Sequence, residues 1–284
     1  MHSSRRQAYI DLTRINRPVG IYLVLWPTLW ALWLAASGMP DLWVLTVFVL
    51  GAVVMRSAGC VINDYADRHF DGQVARTCCR PLATGALSAN EALRFFLLLC
   101  ALAFLLVLTL NSLTIVLSLG AVLLAALYPF MKRHTYWPQA FLGAAFAWAV
   151  PMAFAAVQAT VPSEAWLVFF ATLVWSLIYD TAYAVADKED DLKAGIKSTA
   201  ILFGKHLVRW IGFFQFVMLS LLIAIGWAFE LGSLYYLSLL LVGAWFAWDL
   251  QELATNVPTR AFAVFLRHHW VGVWILLGIM LDRL

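Results

Sequence analysis

Residues 42–71 read LWVLTVFVLGAVVMRSAGCVINDYADRHFD, and this stretch decides the class of fold. It begins with an apolar run of about 20 residues, the length that a helix needs to cross the hydrocarbon core of a bilayer. Arg56 is the only charged residue before the run ends at Asn63 and Asp64. The stretch therefore predicts a membrane-spanning helix whose end carries a cluster of oxygen-bearing side chains.

The same apolar pattern recurs along the whole chain. Of 284 residues, 63% are hydrophobic and 12% are charged, whereas an ordinary soluble domain is about a quarter charged. This composition excludes a water-soluble globular protein, a disordered chain and a coiled coil. The net charge of +3 is too small to indicate a nucleic acid partner. Nine apolar runs are long enough to span a membrane, at about 20–36, 43–62, 92–109, 113–130, 139–158, 165–182, 209–227, 234–250 and 262–281.

The basic residues predict the orientation of these helices. If all nine runs cross the bilayer, every Lys and Arg except Arg283 lies in a loop or at a helix end on one face. Because cytoplasmic loops are enriched in Lys and Arg, we predict an all-α integral membrane protein with nine transmembrane helices and a cytoplasmic N-terminus. Residues 1–284 form one domain in this interpretation, with two possible four-helix halves, about 15–135 and 136–255, followed by a ninth helix.

An acidic cluster follows the second apolar run on the predicted cytoplasmic face. If the second helix continues through it, Asn63, Asp67 and Asp71 are four residues apart and share one helical face. Asp64 points elsewhere on such a helix. The spacing therefore predicts one row of three possible metal ligands.

A second acidic cluster follows the sixth apolar run. Asp180, Asp187 and Asp191 lie within about 20° of a common line on a helix. Two rows of carboxylates on one membrane face repel each other unless cations lie between them. Asp and Asn oxygens are hard ligands, and Mg²⁺ combines one or two carboxylates with water and phosphate oxygens. The clusters predict a magnesium-bridged phosphate site, with solvated ion pairs as the alternative for either cluster alone.

Basic residues near the clusters are suited to neutralise a diphosphate, since arginine favours bidentate contacts and lysine acts as a point charge. They are Arg56, Arg76, Arg80, Lys132, Arg133, Lys193 and Lys197. Arg56 lies seven residues before Asn63, on nearly the same helical face and about 10 Å deeper. The alternative for Arg56 is a side chain that extends to lipid headgroups.

These motifs resemble those of the UbiA superfamily of intramembrane aromatic prenyltransferases. The superfamily's two acidic motifs and its YxxxK motif are present as Asn63, Asp64, Asp67 and Asp71, as Asp180, Tyr183, Asp187 and Asp191, and as Tyr128 and Lys132. The surrounding stretches MRSAGCVINDYADRHFDG, LYPFMKR, GAAFAWAVPMAFAA and GIKSTAILFG are similar to those of members that act on 4-hydroxybenzoate in ubiquinone biosynthesis.

The resemblance implies nine helices around a central cavity and a Mg²⁺-dependent reaction. In that reaction a polyprenyl group passes from polyprenyl diphosphate to the carbon ortho to the hydroxyl of 4-hydroxybenzoate, and diphosphate is released. The implied surroundings are membrane lipid and a bacterial inner membrane, with the active site facing the cytoplasm.

The resemblance also implies roles for individual residues. The implied metal ligands are Asn63, Asp67, Asp71, Asp180, Asp187 and Asp191. The implied catalytic residues among them are Asp67, Asp71, Asp187 and Asp191. The implied diphosphate contacts are Arg76, Arg80, Tyr128, Lys132, Lys193 and Lys197. For the carboxylate of the aromatic acceptor, Arg56 is the first choice and Arg133 the second.

Three alternatives are weighed against this interpretation. The nearest is another UbiA-type aromatic prenyltransferase. The motif of a CDP-alcohol phosphotransferase is partly met by residues 71–76 and Gly85, but Ala89 and Leu93 occupy the two positions that require aspartate. A cation-coupled transporter usually places its acidic residues near the bilayer midplane, whereas these clusters lie at one membrane surface.

Overall fold

The fold consists of α-helices joined by short connections. A computed structural model describes residues 5–73 and 77–284, and these residues form helices without any β-strand. The helices are α1 (Arg5–Thr13), α2 (Val19–Ala36), α3 (Leu42–Asp67), α4 (Ala89–Val107), α5 (Ser112–His134), α6 (Pro138–Ala147), α7 (Ala149–Gln158), α8 (Ala165–Ala194), α9 (Thr199–Phe203), α10 (Leu207–Ala228), α11 (Ser233–Ala254), α12 (Pro258–Arg267) and α13 (His269–Asp282).

Nine segments of the described chain are long and apolar enough to cross a membrane, which confirms the predicted number and the fold class. Six of these spans are single helices, and the other three combine α6 with α7, α9 with α10, and α12 with α13. Large apolar side chains such as Phe216, Trp227 and Leu240 are exposed on the outside of the bundle, where lipid takes the place of water. The chain is therefore an integral membrane protein. The position of the N-terminus and the two four-helix halves stay predictions.

Two of the composite spans are interrupted for visible local reasons. Pro151 lies in the first turn of α7 and has no N–H to donate to the Ala147 carbonyl, so the helix breaks at Trp148. Gly204 separates α9 from α10 with a φ of 49°, in the left-handed region that favours glycine. Each break interrupts a helix without adding a long loop.

A buried ionic cluster holds the third composite span, in which His268 separates α12 from α13. Asp249 of α11 accepts a hydrogen bond from Arg267 Nε at 2.8 Å, and its second oxygen lies 3.0 Å from His268 Nε2. Trp175 Nε1 of α8 donates to His268 Nδ1 at 3.1 Å. Because loss of one partner leaves a buried charge uncompensated, this cluster fixes α12 against α8 and α11.

Helix α8 lies at the centre of the bundle, where it packs against α6, α10 and α12. Its Trp175 and Tyr179 side chains are fully buried, and the ring of Trp175 lies 5.2 Å from that of Trp30 on α2. In lipid such contacts stabilise a bundle through van der Waals packing. The central helix is therefore held on several sides.

The two acidic clusters differ in their backbone structure. Helix α8 runs through to Ala194, so the residues of the second cluster lie on one continuous helix, as the spacing predicts. The prediction for the first cluster is wrong in one respect, because α3 ends at Asp67 and Asp71 begins a short 3₁₀ turn. The N–H of Phe70 bonds to the carbonyl of Asp67 at 2.7 Å, which turns the chain away from the helix axis.

Gly143 allows α6 to approach α8 closely, because an added Cβ would lie 2.9 Å from the Leu173 carbonyl oxygen. We expect Gly143→Ala to push the helices apart and to lower the free energy of unfolding by about 1–3 kcal/mol, the usual cost of overpacking. Gly243→Ala is the matched control, because its added Cβ meets no described atom of another helix within 4 Å. Thermal unfolding in detergent measures both variants, and equal melting temperatures contradict this account of the helix contact.

Candidate active site

A chamber of about 880 Å³ lies at one end of the bundle, between α2, α3, α5, α8 and α12. Its wall contains residues of both acidic clusters and many of the predicted basic residues. Those that line it are Arg56, Asn63, Asp67, Asp71, Arg80, Tyr128, Lys132, Asp180, Asp187, Asp191 and Lys197. The two clusters therefore face one shared space, as is needed for cations to lie between them.

Asp67 lies at the end of α3 and is 4% exposed. Its Oδ2 forms an ion pair with the ammonium group of Lys132, which extends from the last turn of α5. Its Oδ1 is buried and has no hydrogen-bond partner among the described residues. A buried carboxylate oxygen without a partner is costly, so Asp67 retains a ligand position for a cation.

Asp71 is held by an arginine from the loop that follows it. Arg80 Nη1 donates to both carboxylate oxygens of Asp71 at 2.9 Å, and the same nitrogen lies 3.1 Å from Asp64 Oδ1. Burial raises the pKa of Asp71, and the positive charge of Arg80 works in the opposite direction. The arginine therefore favours the ionised form that a metal ligand requires.

Helix α8 presents the second acidic cluster to the same chamber. Asp180, Asp187 and Asp191 all line it and are half-buried. Asp180 and Asp191 are about 16 Å apart along the axis, given a rise of 1.5 Å per residue. Beside Asp180, the hydroxyl of Tyr179 accepts a hydrogen bond from Ser176 at 2.8 Å, which anchors this part of the wall.

Arg56 lies deeper, where the chamber meets a second, apolar cavity of about 130 Å³. Arg56, Tyr128 and Phe146 line both cavities. The guanidinium carbon is 5.9 Å from the centroid of the Phe146 ring, and Nη1 is 3.0 Å from Cys60 Sγ. Its buried Nε has no hydrogen-bond partner among the described residues. The side chain thus retains a donor that suits an anion.

Three predicted site residues are not part of the described chamber wall. Arg133, the second choice for an acceptor carboxylate, donates instead to the Ala66 carbonyl, because the last carbonyls of a helix lack partners within it. The side chain of Lys193 is 77% exposed and lies 3.8 Å from Asp190. Arg76 lies outside the described residues. Of the two arginines proposed for the acceptor, Arg56 is the one that faces the chamber.

The sequence assigns no role to three residues near the chamber, namely Arg14, Gly20 and Asp64, although Asp64 belongs to the first acidic motif. Gly20 of α2 leaves room for Arg56, because a Cβ at this position would lie 2.5 Å from the guanidinium nitrogens Nε and Nη2. Asp64 is fully buried and pairs with Arg14, which lies 50 residues away in the sequence. The helical spacing predicts only that Asp64 points away from the other acids. No local pattern identifies Arg14 as the partner of Asp64 or Gly20 as the neighbour of Arg56.

The available oxygen atoms fit a divalent cation that is shared with a phosphate. In residues 5–73 and 77–284, no three His, Cys, Asp or Glu side chains are close enough together to hold an ion by themselves. Asp67 Oδ1 is available, and Asn63 lies one helical turn away on the same face. Because Mg²⁺ typically takes one or two carboxylates and completes its shell with water and phosphate oxygens, an incomplete set of this kind suits it.

The arrangement of helices is shared with UbiA homologues of known structure. The apo structure of a UbiA homolog from Aeropyrum pernix K1 matches with a TM-score of 0.82 and 25% identity, over 93% of this chain and 98% of that one. A UbiA homolog from Archaeoglobus fulgidus, bound to GPP and Mg²⁺, matches with a TM-score of 0.70 and 19% identity, over 94% of this chain and 99% of that one.

Sequence similarity identifies the family of the chain. Residues 24–272 match the UbiA prenyltransferase family, and the chain belongs to that family. A 4-hydroxybenzoate octaprenyltransferase of Hydrogenovibrio crunogenus is 66% identical over 284 residues, which is 100% of both chains. A 4-hydroxybenzoate octaprenyltransferase of Pseudomonas aeruginosa is 53% identical over 96% of this chain and 93% of its own length.

The pair of Lys132 and Asp67 offers a test of charge compensation that does not depend on activity. Lys132→Met leaves a buried carboxylate unpaired, and we expect the free energy of unfolding in metal-free buffer to fall by about 3 kcal/mol. Because a divalent ion at Asp67 replaces the missing charge, Mg²⁺ should raise the melting temperature of the variant more than that of the unaltered protein. Thermal unfolding in EDTA and in magnesium chloride measures the difference.

Lys205→Met is the matched control, because this lysine is exposed. Its melting temperature and its response to Mg²⁺ should equal those of the unaltered protein. The same response to Mg²⁺ in all three proteins would argue against a cation at Asp67.

Proposed function

We propose that the chain transfers a polyprenyl group from polyprenyl diphosphate to the ring carbon ortho to the hydroxyl of 4-hydroxybenzoate and releases diphosphate. The observation that carries this proposal is the convergence of two acidic clusters and a deeper arginine on one chamber. Relatives named 4-hydroxybenzoate octaprenyltransferase, which match over nearly the whole chain, support the choice of substrates. The reaction belongs to ubiquinone biosynthesis.

Mg²⁺ is the proposed cofactor. Homologues solved with Mg²⁺ and with Cd²⁺ support a divalent cation, and the hard oxygen donors favour magnesium. When bound, the ion polarises the leaving diphosphate and stabilises the charge that develops as the allylic C–O bond breaks. The proposed ligands are Asn63, Asp67, Asp71, Asp180, Asp187 and Asp191. The proposed catalytic residues are Asp67, Asp71, Asp187 and Asp191.

Basic and hydroxyl side chains of the chamber are placed to hold the diphosphate. They are Arg80, Tyr128, Lys132 and Lys197. Lys132 is shared between its present partner Asp67 and the incoming phosphate, and a lysine ammonium has three donors for such sharing. The roles assigned to Arg76 and Lys193 stay predictions, since neither belongs to the described wall.

Arg56 is the proposed partner of the acceptor carboxylate. It lies about 10 Å below Asn63 along α3, and its buried Nε has no partner in the described chain. Arginine suits a carboxylate because its planar group donates two parallel hydrogen bonds. An aromatic acid held there presents its ring to the boundary between the polar chamber and the apolar cavity.

The apolar cavity is the proposed path of the prenyl chain. It runs along α3 from Gly59 towards Val47, which lies about 24 Å below Asn63 at 1.5 Å per residue. Small side chains such as Ala121 and Ala125 leave this space open. An allylic cation is quenched by water, so an apolar wall around the reacting carbon favours transfer over hydrolysis.

The chamber is proposed to open to the cytoplasm of a bacterial cell, with the chain in the inner membrane. The clustering of nearly all Lys and Arg on the chamber face supports this orientation. A donor with a long prenyl chain then reaches the active site from the surrounding lipid, while the polar acceptor arrives from water.

Asp187→Asn tests the proposed role of the second cluster. Replacing the charged ligand with a neutral amide should lower kcat/KM for prenyl transfer at least about 100-fold, or about 2.7 kcal/mol of transition-state stabilisation. Asp190→Asn is the matched control, because Asp190 is paired with Lys193 and does not line the described chamber. Release of diphosphate by purified protein measures both, and activity near normal in Asp187→Asn would exclude a metal role for this residue.

Gly20→Ala tests the position of Arg56 without changing its charge. The added methyl group displaces the guanidinium, so the KM for 4-hydroxybenzoate should rise about 10-fold, near 1.4 kcal/mol, while the KM for the prenyl donor stays the same. Gly212→Ala should change neither value, because its added Cβ meets only Leu250 at an ordinary 3.6 Å. A parallel rise of both KM values in Gly20→Ala would remove the assigned role of Arg56.

A further inference from the structure

A turn at the mouth of the chamber carries two adjacent cysteines. The N–H of Arg80 bonds to the Thr77 carbonyl at 2.9 Å, which places Cys78 and Cys79 at the two central positions of this turn. Their sulfur atoms are 3.7 Å apart and exposed, and neither cysteine is in a disulfide. Cys79 lines the chamber. The proposed prenyl transfer makes no use of this thiol pair.

Both ends of the turn are tied to Asp71. The Thr77 hydroxyl donates to the Asp71 carbonyl at 2.9 Å, and the Arg80 guanidinium donates to the Asp71 carboxylate at the same distance. A group that binds across the two sulfurs therefore acts on a segment that holds a proposed metal ligand. The thiol pair is mechanically connected to the active site.

The separation of the sulfurs matches a bridge through one atom. Two sulfur atoms bound at about 2.3 Å to one tetrahedral ion are about 3.8 Å apart, close to the observed 3.7 Å. A direct disulfide requires about 2.05 Å between the sulfurs, and neighbouring residues hold their Cα atoms closer together than most disulfides tolerate. The geometry favours chelation of a single ion over oxidation of the pair.

We propose that Cys78 and Cys79 bind one soft, thiophilic divalent cation across their two sulfur atoms. Soft thiolate donors select such ions, whereas Mg²⁺ prefers oxygen. Each thiol loses its proton as its sulfur–metal bond forms, so two protons are released for each ion and no electron is transferred. The hydrogen bond with Cys79 raises the pKa of Cys78.

Occupancy of this site inhibits the reaction at the chamber, a consequence that rests on the proposed function. The bound ion stiffens the turn from Thr77 to Arg80 and brings a bulky charged group to the chamber edge at Cys79. Arg80 is then less able to move from Asp71 to an incoming diphosphate. Inhibition should persist in excess Mg²⁺, since magnesium does not compete for thiolates.

Binding is tested on the purified full-length protein, with Cd²⁺ as the probe and without substrate. The absorbance of cadmium–thiolate charge transfer and the release of protons are followed during titration in buffer that contains Mg²⁺. We expect one ion and two protons for each chain, and a loss of affinity of at least 10-fold in Cys78→Ser and in Cys79→Ser. Cys100→Ser, which alters a cysteine on α4, is the control and should bind normally. Unchanged absorbance in the Cys78→Ser and Cys79→Ser variants overturns the site.

Inhibition is tested separately with the same proteins. Without Cd²⁺, the Cys78→Ser variant should release diphosphate at the normal rate. The concentration of Cd²⁺ that inhibits the unaltered protein should be at least 10-fold lower than the concentration that inhibits Cys78→Ser. Equal sensitivity of the two proteins overturns the link to the active site. Absence of transfer in all proteins before Cd²⁺ is added contradicts the proposed function instead, and the binding titration still decides the thiol site.

Discussion

The chamber depends on charge compensation of carboxylates that the fold removes from bulk water. Three of them are at most 5% exposed, namely Asp64, Asp67 and Asp71. Basic side chains from three separate segments pair with them, namely Arg14 before α2, Arg80 after α3 and Lys132 at the end of α5. Because a buried charge without a partner costs several kcal/mol, these pairs hold the segments together. The ion pairs that hold these segments around the chamber therefore also position its charged side chains.

Helix α8 is longer than a membrane span requires, and its additional turns carry part of the second acidic cluster. Its 30 residues extend about 45 Å at 1.5 Å per residue, whereas the hydrocarbon core is about 30 Å thick. The helix therefore continues past the membrane core, and its last turns carry Asp187 and Asp191 where water and ions have access. Asp180 lies deeper, in the part of α8 that Trp175 and its neighbours hold. One rigid element thus carries carboxylates at several depths of the same chamber.

Sequence reasoning predicts the nine spans because the thickness of the bilayer imposes one length on each of them. It also predicts the shared face of the second cluster, since no break interrupts α8 between Asp180 and Asp191. The same spacing argument fails beyond Asp67, because the end of α3 depends on tertiary contacts. Both Arg56 and Arg133 are arginines that suit the acceptor carboxylate, so the sequence alone does not separate them. Only the packing of distant segments decides which one faces the chamber. Local patterns contain no information about such contacts.

The position of Arg56 divides the interior into two environments that match the two parts of the proposed donor. The chamber on one side carries carboxylates and cations, and the cavity on the other is lined by small apolar side chains. A prenyl diphosphate has a charged head and an apolar chain, so the bond between them lies at the boundary that Arg56, Tyr128 and Phe146 share. An acceptor held by Arg56 has its ring at the same level. In the proposed reaction, this boundary is where the allylic carbon meets the acceptor ring, and the apolar side of the boundary keeps water away from both.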